Sequence, residues 1–206
     1  PFLLNRVTGD NHGDVAGYSV AMVGDVNNDG FADILVGAPY NDVILPPAIK
    51  ASANVGSAYL VSGDTSGGVQ PVLWTFDGVA RGDAFGSMVR VVGDVNGDTV
   101  PDFAIAASKA DKLLDPLTLK VLMKDRGAVT VYSGADYAPL FTLTGEAAGD
   151  NFGFSVTGAG DVDGDGYVDI LVGAWGNDRI DPVTQKYIKD AGAAYLYSGQ
   201  TALTAD

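Results

Sequence analysis

Short apolar runs separated by Gly-rich polar stretches recur along the whole chain, and no stretch carries a long 3.6-residue hydrophobic period. β-Branched and aromatic residues dominate the runs, which predicts strands rather than helices. The pattern also repeats, because acidic stretches that begin at Asp25, Asp94 and Asp161 lie 69 and 67 residues apart. Each acidic stretch is followed by one apolar run ("DILVGAP", "DFAIAAS", "DILVGAW") and then by another ("VGSAYLVSG", "RGAVTVYSG", "AGAAYLYSG").

Two further landmarks keep the same phase in every repeat. The opening runs are "FLLNRVTG", "VLWTFDG" and "PLFTLTG", and each precedes a Gly-rich segment, "GDNHGDVAGYSV", "GVARGDAFGSMV" or "GEAAGDNFGFSV". Each repeat therefore holds four predicted strands, and a lone unit of this size would leave an apolar face uncovered. We predict an all-β chain of three four-stranded antiparallel β-propeller blades.

Residues 1–206 are predicted to form one segment, with repeats at about 2–70, 71–137 and 138–201. Three blades do not close a ring. The chain is therefore predicted to be a partial propeller, completed by other blades of a parent protein, or half of a ring formed by two copies related by two-fold symmetry. Since the chain begins at Pro1 and shows no signal peptide, we interpret it as a mature or trimmed segment.

Composition restricts the partners of the chain. It is 47% hydrophobic, enough for a real core, and its formal charge of -14 disfavours nucleic acid and anionic membrane surfaces while attracting cations. No apolar run approaches the length of a membrane-spanning helix, so no membrane insertion is predicted. The absence of Cys excludes disulfides and thiolate chemistry.

The three acidic stretches, "GDVNNDGFAD", "GDVNGDTVPD" and "GDVDGDGYVD", share the pattern Asp-x-[Asp/Asn]-x-Asp-[Gly]-x-x-Asp. A tight loop points side chains 1, 3 and 5 inward, Gly at position 6 bends the chain, position 7 offers its carbonyl and position 9 closes the shell. Such oxygen donors suit Ca²⁺ better than Mg²⁺. We predict up to three calcium ions, held by Asp25, Asn27, Asp29, Phe31 and Asp33; by Asp94, Asn96, Asp98, Val100 and Asp102; and by Asp161, Asp163, Asp165, Tyr167 and Asp169.

The alternative for each loop is a polar hairpin turn, since Asn, Asp and Gly favour turns. Three phased copies, and the repulsion among their carboxylates, favour the metal. An EF-hand is excluded because Val36, Ile105 and Val172 stand where it needs Glu. A shell made by the protein predicts a structural role for calcium, with tightest binding in the third loop. Thr99 replaces Gly in the second loop, which predicts a distorted loop and a weaker ion between Asp94 and Asp102.

The repeats resemble FG-GAP repeats, the blades of the integrin α-subunit propeller and of many bacterial extracellular proteins. "FG" occurs as Phe85-Gly86 and Phe152-Gly153, and "GAP" as Gly37-Ala38-Pro39. The first repeat departs with Ala16-Gly17 for FG, and the other two have Ala106-Ala107-Ser108 and Gly173-Ala174-Trp175 for GAP. The resemblance implies a usual seven-bladed ring, calcium in β-hairpin loops, and partner binding on the opposite face of the propeller.

That opposite face is predicted to carry long insertions between the second and third strands, at 40–54, 109–125 and 176–190. Asp-Pro in the second and third insertions predicts projecting hairpins; the alternative is that the insertions pack on neighbouring blades. Trp175 is either a stacking platform for a ligand or a cover over the core. The candidate ligand-binding residues are Tyr40, Asn41, Asp42, Asp111, Lys112, Trp175, Asn177, Asp178 and Arg179.

Catalytic motifs are absent from the sequence. His12 is the only His, and neither a Gly-x-Ser-x-Gly elbow nor a phosphate-binding Gly-x-x-x-x-Gly-Lys loop occurs. We therefore predict no enzyme but a secreted or cell-surface calcium-binding module that binds an extracellular protein or glycan. The alternatives are an accessory or substrate-binding part of a secreted enzyme, such as a polysaccharide lyase or a phospholipase-like hydrolase, and a scaffold without a ligand.

Overall fold

A computed structural model describes residues 6–9, 11–44, 54–64, 71–113 and 121–199 of the chain. Every element in these residues is a strand, as the short apolar runs predict. The strands are β1 (Ser19–Gly24), β2 (Asp33–Ala38), β3 (Ser57–Val61), β4 (Val72–Asp77), β5 (Phe85–Gly93), β6 (Asp102–Ala107), β7 (Lys112–Leu113), β8 (Val121–Met123), β9 (Ala128–Tyr132), β10 (Pro139–Thr144), β11 (Ser155–Gly160), β12 (Asp169–Ala174), β13 (Arg179–Ile180), β14 (Tyr187–Ile188) and β15 (Ala193–Tyr197).

The strands form three antiparallel sheets in chain order, β1-β2-β3-β4, β5-β6-β9-β10 and β11-β12-β15. The prediction of all-β blades is confirmed. The outermost strands β4 and β10 come from "VLWTFDG" and "PLFTLTG", so each sheet borrows the run that opens the following repeat. Among the described residues, β15 pairs with β12 alone and has no outermost neighbour.

The sheets stack face to face, with innermost strand β5 lying against both β1 and β11. Strand β6 shows why the middle blade is so apolar, because all six of its residues are buried. Phe103 and Ile105 pack toward the first sheet, whereas Ala104 and Ala106 pack toward the third. A strand that is covered on both faces reads as a continuous apolar run, as "DFAIAA" does.

Two apolar interfaces hold the three sheets together. The interface between the first two sheets contains Val23, Leu35, Ala58, Leu60, Phe76, Phe85, Val89, Phe103, Ile105 and Ala107. The interface between the second and third contains Val92, Val95, Ala104, Ala106, Val129, Val131, Phe152, Val156, Ile170, Val172 and Ala174. Each blade therefore contributes to a core that it could not form alone.

A β-bulge ends the pairing of the first two strands in every sheet, at Gly24, Gly93 and Gly160. All three have positive φ, of 82°, 93° and 75°. Glycine adopts this conformation without steric strain, and the bulge turns the chain directly into the acidic loop that follows.

The two described insertions form hairpins, β7-β8 and β13-β14, between the second and third strands of their sheets. In the third sheet, Ile180 and Val183 are 63% and 88% exposed, so this hairpin projects into solvent. Residues 45–53 of the first insertion and 114–120 of the second lie outside the described residues. In the part of the chain that the structure describes, no helix is long and apolar enough to cross a bilayer.

Candidate metal centres and the opposite face

The three acidic loops share one hydrogen-bond pattern that starts from their first carboxylate. Asp161 accepts hydrogen bonds from the backbone N–H of Asp165 at 3.1 Å and of Gly166 at 3.0 Å. Asp25 and Asp94 accept the same pair of bonds in their own loops. The carboxylate at position 5 of each loop accepts a hydrogen bond from the backbone N–H at position 7, as Asp165 does from Tyr167 at 2.9 Å. Each loop is thus folded around its own carboxylates.

The carboxylate at position 9 of each loop is buried and connects two turns. Asp33, Asp102 and Asp169 are at most 1% exposed. In each loop, one oxygen of this carboxylate accepts a hydrogen bond from the backbone N–H at position 2, as Asp102 does from Val95 at 2.9 Å. The other accepts from a glycine after the third strand of the sheet, Gly134 for Asp102 at 3.0 Å. The acidic loop and the turn after the third strand therefore lie at the same end of the blade.

Serine hydroxyls reinforce the same connection in two of the blades. Ser62 Oγ donates to Asp29 at 2.9 Å, and Ser198 Oγ donates to Asp165 at 3.1 Å. Neither serine was singled out from the sequence, although both stand in the repeated Ser-Gly that closes "VSG" and "YSG". Their phase in the repeat was the available signal.

The carboxylates differ in how easily they ionise. Burial raises the pKa of Asp102, the charges of Asp98 and Asp94 add to the rise, and the backbone N–H groups of Gly134 and Val95 oppose it. The backbone N–H of Phe31 and the Asn27 side chain lower the pKa of exposed Asp29. A cation in such a loop would favour the ionised form of every carboxylate around it.

The third loop brings its carboxylates closest to a metal-binding geometry. One oxygen from each of Asp161, Asp163 and Asp169 lies within 4.8 Å of the other two. Oxygens bound to one Ca²⁺ at about 2.4 Å can be no further apart than about 5 Å, so this set fits the ion. In the first and second loops Asn27 and Asn96 replace the third carboxylate, which leaves an oxygen donor but removes one charge.

The second loop is not distorted, contrary to the expectation from Thr99. Thr99 adopts a φ of +71°, close to the +91° and +93° of Gly30 and Gly166 at the same position. Its backbone N–H donates to Asp94 at 2.8 Å, as in the other loops. The loop keeps its shape, and the β-branched residue carries the backbone strain.

On the opposite face, the predicted ligand-binding residues divide into two groups. Asp42, Asp111 and Asp178 each accept from a backbone N–H at the far base of their insertion, those of Asn54, Asp125 and Asp190 respectively. Asn41 donates to Ser57 and Tyr59, and Asn177 donates to Asp150 and Tyr195. These five side chains close the insertions.

The remaining candidates include the accessible aromatics. Trp175 is 53% exposed and contacts the edge of Phe154, and half-buried Tyr40 contacts Tyr18. Trp175 is therefore accessible to solvent on the opposite face. Arg179 is exposed on β13, and Lys112 lies on β7. His12 is exposed in a turn, as its position in a polar segment predicts.

Three buried carboxylates on this face were missed from the sequence. Asp14, Asp83 and Asp150 are 2%, 6% and 0% exposed. Each directly follows the second glycine of its repeated Gly-rich segment, so their shared phase could have identified them. Their backbone carbonyls accept from the insertion of their own blade, at Tyr40, Lys109 and Gly176. Burial raises the pKa of Asp83 to about 6, with the backbone N–H of Asp111 opposing the rise and its charge adding to it.

Three stacked antiparallel sheets with adjoining innermost strands, each with an acidic loop at the same end, define a partial β-propeller. The FG-GAP repeat family model matches residues 16–61 and 152–197. The chain carries FG-GAP repeats, which confirms the resemblance seen in its sequence. The middle repeat lies outside the two matched stretches.

Similarity to integrin α subunits extends over most of the chain. It is 31% identical to integrin alpha-PS2 of Drosophila melanogaster over 190 residues, covering 85% of the chain and 12% of the relative. It is 34% identical to mouse integrin alpha-IIb over 180 residues, covering 86% of the chain and 16% of the relative. It is 31% identical to chicken integrin alpha-8 over 211 residues, covering 98% and 17%. The chain thus spans under a fifth of the length of these relatives.

Proposed function

We propose that this chain is a calcium-stabilised propeller module that binds a protein or glycan outside the cell. The carrying observation is the threefold acidic loop with one hydrogen-bond pattern, whose third copy gathers three carboxylates within 4.8 Å. Similarity to integrin α subunits supports an extracellular, adhesive role. The module is a binding protein and not an enzyme.

Calcium acts structurally in this proposal. The ligands would be the side chains at positions 1, 3, 5 and 9 and the carbonyl at position 7 of each loop. Because Asp169 also reaches Gly199 at 3.3 Å, an ion in the third loop would stabilise the turn after the third strand as well. The ion supplies positive charge and a fixed coordination shell; the chain supplies the preformed turn.

Calorimetric titration of the chelator-treated chain with Ca²⁺ tests this proposal. We expect up to three ions per chain and a rise in melting temperature, with the third loop binding tightest. The double variant Asp161→Asn/Asp165→Asn should lose one ion, and the pair Lys186→Gln/Lys189→Gln on the projecting hairpin should lose none. The proposal would be overturned if the titration showed no binding heat and the melting temperature did not change with Ca²⁺.

The third blade is proposed to gain a fourth strand that pairs with β15. The outer edge of β15 has no neighbour among the described residues, whereas the equivalent strands β3 and β9 pair with β4 and β10. We propose that a strand from further blades of a parent protein, or from a second copy, completes this sheet. Light scattering separates the two, since a two-chain ring would have twice the 21.1 kDa of one chain.

A further inference from the structure

A small pocket opens where the innermost strands of the three sheets meet, at the end opposite the acidic loops. We call it the serine pocket; its lining residues are Tyr18, Ser19, Ser87, Met88, Ser108 and Phe154. All three sheets contribute to it, and its volume is about 160 Å³. This is below the range of drug-sized sites, so the pocket accepts one ring-sized group.

Aromatic pairs stand on either side of the serine pocket. Tyr18 meets Tyr40 edge to face with ring centroids 6.4 Å apart, and Phe154 meets Trp175 in the same way at 6.3 Å. Tyr18 and Phe154 are 56% and 58% exposed. Exposed aromatic clusters of this kind mark interaction sites.

The gap between the aromatic pairs is a property of the middle repeat. Tyr18, Ser87 and Phe154 hold the same position, each directly after the third glycine of its repeated segment. Trp175 likewise corresponds to Ser108. In the middle blade, Ser87 therefore replaces the aromatic residue of both neighbours, and Ser108 replaces Trp175 of the third repeat and Pro39 of the first. These small side chains leave space between the aromatic pairs.

Two hydroxyls of the pocket, those of Ser19 and Ser87, are arranged to accept hydrogen bonds. Ser19 Oγ donates its proton to the carbonyl of Gly86 at 3.0 Å. Ser87 Oγ donates to the carbonyl of Ala106 at 3.2 Å and accepts from the backbone N–H of Ser108 at 3.1 Å. A hydroxyl whose proton is already used offers its oxygen lone pairs to a ligand. The ligand should therefore carry hydrogen-bond donors.

The lining residues that the structure describes are all uncharged, although the chain has 26 acidic residues. A cation would be attracted by the aromatic faces but would find no carboxylate among these described lining residues to offset its desolvation. We propose that the serine pocket binds one neutral sugar ring of a glycan. The apolar face of the ring lies against Tyr18 or Phe154, and its hydroxyls donate to Ser19 and Ser87. This inference rests on the proposed function and names the ligand class of that same binding face.

Tryptophan fluorescence provides the test, because the chain has only two Trp and Trp175 adjoins the pocket. In a Trp74→Phe background, the full chain is titrated in Ca²⁺ with the methyl glycosides of glucose, galactose, mannose and N-acetylglucosamine. We expect a saturable change in Trp175 emission with at least one of them. Phe154→Ala should weaken its Kd about tenfold or more, as truncation of an aromatic anchor does.

Ser19→Ala, which removes only a hydroxyl, should weaken the same Kd severalfold, and Val183→Ala on the projecting hairpin, which does not line the pocket, should leave it unchanged. The inference would be overturned if Trp175 emission did not saturate with any glycoside, or if the Kd were the same in the parent and in both pocket variants. So would saturable binding of arginine methyl ester but of no glycoside. The calcium-induced rise in melting temperature, read on the same samples, reports the proposed function separately: if it persists without sugar binding, only the sugar inference fails.

Discussion

The buried carboxylate of Asp33 accepts a hydrogen bond from the backbone N–H of Gly63 at 2.9 Å, across 30 residues of chain. Gly134 and Gly199 donate in the same way to Asp102 and Asp169. Each carboxylate at position 9 thus has two roles: it is a ligand of the proposed ion, and it accepts a hydrogen bond from the backbone of a second turn. The two roles can be separated by mutation, because Asp163 of the third loop accepts a hydrogen bond only within its own loop, from the backbone N–H of Asp165.

In the third loop, Asp169→Asn should destabilise the chain with or without calcium. Both oxygens of Asp169 accept backbone N–H groups, from Val162 at 2.7 Å and from Gly199, so an amide NH₂ would face a donor. A buried unsatisfied group of this kind costs about 1–3 kcal/mol. Urea unfolding in chelator and in Ca²⁺ measures this loss.

Asp163→Asn is the matched control, because it installs the residue that the other two loops already have at this position. It should leave the free energy of unfolding in chelator nearly unchanged and weaken calcium binding alone. Equal losses for both variants in chelator would mean that the bond to Gly199 contributes nothing particular.

Calcium removal should lower the stability of the whole chain. Ligand binding to the folded state alone adds about 2.7 kcal/mol per site at a free concentration one hundred times Kd. The melting temperature should therefore rise steadily with Ca²⁺ concentration and return to its starting value on chelation. Mg²⁺ at the same concentration serves as the control and should produce a smaller rise, because it prefers a stricter octahedron.

Thr99→Gly should stabilise the chain. Relief of a left-handed conformation for a β-branched residue is worth about 1–2 kcal/mol, while the freer unfolded chain offsets about 0.4–1 kcal/mol. The net gain should be roughly 0.5–1 kcal/mol in the free energy of unfolding. The reverse change, Gly166→Thr, should destabilise, since a Cβ there meets no atom within 4 Å and only backbone strain acts. A loss on Thr99→Gly would show that the Thr99 side chain makes a contact that outweighs its strain.

Periodicity made the architecture readable from the sequence. Phased apolar runs and acidic stretches predict blades and loops correctly, because a buried strand and a tight turn each impose a local residue pattern. Connections across the sheet are different. The sequence places Asp33 ninth in its loop but gives no sign that Gly63 is its partner, since that bond depends on the packed sheet.

At Thr99 the local sequence pattern predicts the wrong backbone geometry. Local preference predicts a distorted loop, yet hydrogen bonds to Asp94 and Asp98 hold the loop in the shape its glycine-containing counterparts adopt. Tertiary structure overrides a preference of a few kcal/mol when several bonds require one conformation. The side-chain bonds of Asn41 and Asn177 within the fold were likewise not readable from the sequence, while their role in ligand binding stays a prediction.

The last prediction concerns pH and the opposite face. The pKa of Asp83 is raised to about 6, chiefly by burial. Between an ordinary carboxyl pKa near 3.9 and 6, the folded chain therefore binds more protons at this site than the unfolded chain does. Stability contributed by Asp83 is present below this window and is lost as pH rises through it, in contrast to a salt-bridged carboxylate.

Asp83→Asn keeps an acceptor for the backbone N–H of Asp111 and removes the ionisable group. The variant should therefore gain stability relative to the parent between pH 4.5 and pH 7.5, by on the order of 1–2 kcal/mol. Asp136→Asn, a change in a turn at the other end of the second blade, should show no such trend. Unfolding free energies at both pH values in chelator decide the matter, because calcium binding by the acidic loops has its own pH dependence. A difference between Asp83→Asn and the parent that stays constant across this range would mean that Asp83 ionises at the same pH in the folded and unfolded chains.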